Sequence, residues 1–107
     1  MQSESQSDAR KREADLIQRS IDMLERACAS GIRSFAMVEA VHFTSRLWTA
    51  LLTDLAERDN GLPAELKASL ISIGIWVLRQ AEAIRSGESE NVNGIIGIQA
   101  IVRDGLK

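Results

Sequence analysis

The chain is 107 residues long, with a formal net charge of −2, one cysteine and one histidine. That length allows one domain with a modest core, and a single cysteine excludes an internal disulfide and a multi-cysteine metal site. The charge gives no general attraction to nucleic acid or anionic lipid, and no run approaches the roughly eighteen consecutive apolar residues that a spanning helix needs.

Residues 1–7 are polar, with three serines and two glutamines, and lack the apolar core of a secretion signal. They are expected to form a disordered tail ahead of one helical domain over residues 8–107, in a protein of the cytoplasm. The first helix is expected over residues 8–29. Ala14, Ile17, Ile21, Leu24 and Cys28 recur at steps of three and four, which puts them on one helical face. Cys28 is therefore expected to be buried packing rather than a reactive thiol. Asp8, Asp15 and Asp22 each precede an arginine by four residues. Such a pair contributes roughly 0.2–0.5 kcal/mol to a helix, and the pattern reads as a solvated face. Gly31 follows as a helix stop.

Ser34 is placed to cap a second helix that runs to about residue 58. Its main stripe is Val38, Val41, Ser45, Trp48, Leu52 and Leu55, and Phe43, Leu47 and Leu51 widen the apolar arc. Asp59-Asn60-Gly61 is turn chemistry. Pro63 then opens a third helix, Glu65 favours its first turn, and Gly87 ends it. One stripe of this helix is Leu66, Leu70, Ile73, Val77, Ala81 and Ile84; a second is Ile71, Ile75 and Leu78. Two stripes predict the central helix of the bundle, packed on two sides. Gly74 in its middle costs roughly 1 kcal/mol against alanine, which implies close approach of another backbone, that of the helix carrying Trp48. The last helix starts at Ser89 or Asn91 and ends near Gly105, with Ile95, Ile98 and Val102 inward. Gly94 and Gly97 make it weak in isolation. The chain is thus expected to be an all-α bundle of about four helices.

Within this frame the ordered string R-L-W, D-L, N-G-L-P-x-E-L, L-I-S-I-G-I-W-V-L and A-E-A-I-R, from Arg46 to Arg85, resembles the FlaF family of bacterial flagellar biosynthesis regulators. Asn91, Gly94-Ile95-Ile96 and the closing I-V-R-D-G-L-K extend the likeness, as does the first helix more weakly. Two departures stand out. Family members often begin with a short aromatic segment where this chain has MQSESQSDAR, and commonly carry Asn where this chain has Ser45. The resemblance implies a regulator that promotes flagellin synthesis and export, with flagellin as its protein partner and a functional link to the FlbT regulator. It further implies a dedicated flagellin chaperone, the alternative being a post-transcriptional regulator that contacts flagellin messenger RNA directly.

No catalytic apparatus and no cofactor site can be drawn from the residues. His42 and Glu39 could make half a metal site, but the H-E-x-x-H and paired-cysteine contexts are missing. Ser45 has no identifiable histidine partner on another element. Asp54 and Glu57 have nothing that would split their pKa values for acid–base work. Gly94 and Gly97 lack a phosphate-loop context. An enzyme is therefore not expected. Trp48 falls on a core stripe. Trp76 falls off both stripes of its helix and is expected to be partly exposed, as interface anchors are. With Ile71, Ile75 and Leu78 it forms the candidate partner-binding set.

Arg10-Lys11-Arg12 is the one basic run; acids flank it and no aromatic residue interleaves. Stacking and phosphate contacts to RNA are poorly served by that pattern. A flagellin leader RNA should therefore not be bound tightly, and any retention at low salt should vanish at physiological salt in a filter-binding assay. Salt-resistant, sequence-selective binding would promote the messenger-RNA alternative.

Overall fold

The computed structural model describes residues 5–106, and helix α1 begins almost at once, at Gln6–Ser30. Ser5 is its cap: the hydroxyl accepts the Asp8 N–H at 3.1 Å. A serine with an acid three residues on is a helix-start signal, so residues 5–7 belong to the cap and first turn rather than to a tail. Residues 1–4, the rest of the expected tail, lie outside the described residues. Ala14, Ile17, Ile21 and Leu24 are buried as expected, but the line continues through Ala27, and Cys28 is exposed. The buried line runs through Ile17, Ser20, Ile21, Leu24 and Ala27, so it turns toward Ser20 and Ala27 and leaves Cys28 outside. The charged residues of the Asp–Arg pattern are exposed. Arg19 lies over the ring of Phe43 on the next helix, 5.1 Å from its centroid.

Gly31, at φ 111°, ends α1, and Ser34 begins α2, Phe35–Leu55. The Ser34 hydroxyl accepts the Met37 N–H and donates to the Gly31 carbonyl, so the connection is tied at both ends. α2 stops at Leu55, short of residue 58, because the Asn60 amide donates to the Asp54 carbonyl and closes the turn. Its buried face is Met37, Ala40, Val41, Thr44, Leu47, Trp48 and Leu55. Val38, expected inside, is 57% exposed. The buried arc is centred about one residue earlier than the stripe, since α2 has to meet neighbours on two sides.

Helix α3 covers Ala64–Ser86 and ends on Gly87 in the left-handed region at φ 85°. The Glu88 N–H reaches back to the Ala83 carbonyl at 2.8 Å, the Schellman closure that a glycine permits. Helix α4, Val92–Leu106, follows. Asn91 caps it by accepting the Gly94 N–H at 3.0 Å. A Cβ on Gly94 would lie within 2.4 Å of that same amide group, so glycine there makes room for the cap.

The short connections make successive helices antiparallel neighbours, and no strand occurs among the described residues. α1 packs on both α2 and α4, and α2 packs on both α1 and α3, while α3 and α4 meet only lightly. The expectation of a central α3 is thus corrected: α1 and α2 form the spine, and α3 sits at one end of an open ring. Of its second stripe Leu78 packs against the core, Ile71 is half-buried and Ile75 is exposed. The close approach expected at Gly74 does occur. A Cβ there would fall 2.7 Å from Leu52 Cδ2 of α2, so the partner is a side chain rather than a backbone.

Val77 is fully buried and Val38 is mostly exposed. Val77→Asp should therefore cost about 3 kcal/mol or more, from an unpaired buried carboxylate. Val38→Asp should stay within about 0.5 kcal/mol of the parent. Urea melts followed by circular dichroism would separate the two, and equal midpoints would mean that the core is misassigned.

Candidate partner-binding site

Where α3 and α4 fail to close on each other, an apolar groove runs between them. Ser72, Ile73 and Trp76 line it from α3, and Gly94, Ile98 and Ile101 from α4. Ser72 is small and Gly94 has no side chain, so neither fills the gap. Its sides are tall because Trp76 and Ile101 stand 38% and 67% exposed. None of the six lining residues carries a charge. Of the four candidate residues, the structure brings only Trp76 to this groove. Ile75 is exposed and Ile71 and Leu78 are half-buried, but helical spacing places all three on the other side of α3. One straight partner helix cannot touch that trio and Trp76 together.

Beneath the groove, α4 is held to the rest of the bundle by polar links. The Trp48 indole, 1% exposed, donates its N–H to Gln99 Oε1 at 3.0 Å. The indole can only donate, which fixes the amide orientation and leaves Gln99 Nε2 buried with no hydrogen-bond partner among the described residues. Arg103 Nη1 donates to Gln18 Oε1 of α1 at 2.7 Å. A second buried polar contact, Ser20 to Thr44 at 2.6 Å, joins α1 to α2. Sequence reasoning missed Gln99 and Thr44. The signal for Gln99 was present: it stands four residues after Ile95 and three before Val102, a polar group on an apolar line.

The other constellations do not assemble. His42 and Glu39 are both exposed on α2, and among the described residues no three His, Cys, Asp or Glu side chains are grouped so as to hold a metal ion. Asp54 instead serves the turn, accepting from Asn60 Nδ2 at 3.2 Å. No helix among the described residues is long and apolar enough to cross a membrane.

A family model described as flagellar protein FlaF matches residues 1–106, essentially the whole chain. The chain belongs to the FlaF family. No curated protein and no solved structure matches it. The four helices described above are thus the fold of a FlaF-family flagellar protein, and its α3–α4 groove falls within the matched region.

In this FlaF-family chain the Trp48–Gln99 contact is the polar link from α4 across to α2. Gln99→Ala should remove it, open a cavity and leave the indole N–H unpaired, at about 2–4 kcal/mol in a denaturant melt. A loss below about 0.5 kcal/mol would show that α4 is positioned by its apolar contacts alone.

Proposed function

We propose that this chain binds flagellin as a dedicated cytoplasmic chaperone and so promotes flagellin synthesis and export, without catalysing a reaction. The observation that carries this is the open α3–α4 groove, apolar along both sides and bounded by Trp76 and Ile101. Membership in a flagellar protein family supplies the class of partner. Flagellin ends are amphipathic helices, and such a helix lays its apolar side into a groove through anchors at i, i+3, i+4 and i+7. The partner helix takes the place that a closely packed α3–α4 contact would occupy. An indole that is half-buried in the free protein is already held in position, so little side-chain entropy is lost when a partner covers it. The absence of charge along the groove favours an apolar strip on the partner over an ionic contact, since burying an unpaired charge is costly.

Trp76→Ala should keep a near-parental melting temperature and lose flagellin binding by about 2 kcal/mol or more, as truncated interface anchors do. Glu57→Ala, an exposed change in the turn after α2, should alter neither. Calorimetric titration with purified flagellin measures the binding. A stable Trp76→Ala variant that binds flagellin normally would place the flagellin site away from this groove.

A further inference from the structure

The bundle has a second apolar opening, on the flank of α3 away from Trp76. It lies between the start of α2 and the end of α3, with Met37, Val41, Ala81 and Ile84 as its floor. All four are buried. Val38 and His42 stand on its α2 side. Phe35, one helical turn before Val38, is 76% exposed. It continues the same edge, because residues three and seven apart share a helical face. An exposed phenylalanine beside an exposed valine is apolar surface that folding has left uncovered.

The charges at this opening are unequal. Glu82 and Arg85 line the α3 side and are spent on each other, through hydrogen bonds from the Arg85 guanidinium to both carboxylate oxygens. That guanidinium also holds the Glu82 carboxyl below the usual carboxylate range. Arg33 differs. Among the described residues no hydrogen bond or ion pair engages its side chain. Its guanidinium lies so close to Gly87 that a Cβ there would come within 2.9 Å of both Nη atoms. The cation is therefore set at the mouth of the groove against the chain, with its charge uncommitted. Glu39, the one acid on this part of α2, is not among the residues that line the groove.

We propose that this α2–α3 groove is a second docking surface, which takes an amphipathic helix of a partner protein carrying Asp or Glu beside its apolar strip. The apolar strip covers Phe35, Val38 and the floor, and a carboxylate meets Arg33. Charge complementarity selects this occupant. A second copy of the chain seated here with Arg33 near the twofold axis would bring one Arg33 toward the other, which is repulsive. Nucleic acid and anionic membrane draw on several clustered cations, and this mouth offers one uncommitted cation. The surface is separate from the flagellin groove and stands independently of the flagellin reading.

The test uses the full chain and two synthetic amphipathic helical peptides. Both carry Leu at i, i+3, i+4 and i+7. One carries Glu along the flanks of that strip, and the other Lys at the same places. The acidic peptide should bind about tenfold more tightly, moving backbone NMR signals of residues 33–42 and 81–85 and leaving Trp76 emission unchanged. Arg33→Glu should abolish or reverse the preference, and the preference should shrink as salt rises. Phe35→Ser should weaken both peptides. Both substitutions are at exposed residues, so the fold is kept, and circular dichroism verifies it. Trp76→Ala should leave the acidic peptide bound, which separates this surface from the flagellin groove. Equal affinity for the two peptides would overturn the proposal. So would an Arg33→Glu variant with the parental preference, or signal changes confined to residues 72–76 and 94–101.

Discussion

Trp48 makes two demands, and the bundle is arranged to meet both. Its indole is the largest fully buried side chain, and it has one N–H that must find an acceptor away from water. Burial is met by α2 lying between α1 and α3. The N–H is met by Gln99 of α4. A single side chain thus fixes the place of the last helix from across the interior. The arrangement leaves a cost, because the second amide nitrogen of Gln99 has no partner among the described residues. Unpaired buried donors cost about 1–3 kcal/mol. α4 is therefore positioned well but not held strongly at that level, and its hold comes largely from the apolar contact of Ile95 and Val102 with the core.

The open side follows from how the chain spends its apolar surface. α1 and α2 each commit two sides to neighbours. α3 and α4 each have one strongly committed side, facing α2 and α1 respectively. Their remaining flanks could have closed the ring. Instead Ser72 and Gly94 line the gap between them, Gly94 making room for the Asn91 cap, and Trp76 and Ile101 are left exposed. The result is a fold whose stability resides in three close helix contacts and whose fourth stays accessible.

Much of this was readable in the chain. The stop at Gly87, the Ser34 cap and the turn at Asn60 all follow from local chemistry. Gly74 announced a close contact, and Trp48 and Trp76 separated by register into core and groove. What failed had a physical cause each time. The expected central α3 came from counting apolar stripes, but a stripe marks a surface able to be buried, and only the neighbours decide whether it is. Cys28 and Val38 were misassigned because the buried faces of α1 and α2 are turned away from their apolar stripes by the neighbours they meet. Gln99 was missed although it stands on the apolar line of α4, because the donor that makes its burial tolerable lies fifty-one residues away. The pairing of Trp76 with α4, rather than with Ile71, Ile75 and Leu78, needed the position of the last helix.

Gly97 of α4 stands in open space: nothing lies within 4 Å of where its Cβ would be. No steric reason forces glycine there, and alanine would strengthen the helix by about 1 kcal/mol. In population terms that difference is about fivefold in the local opening equilibrium of the segment. The native residue thus keeps an excited state, with α4 partly unwound beside Trp76, about five times more populated than the simplest substitution would. A groove wall that yields this readily can adjust its width to side chains of different bulk, a tolerance that a stiffer wall would lack.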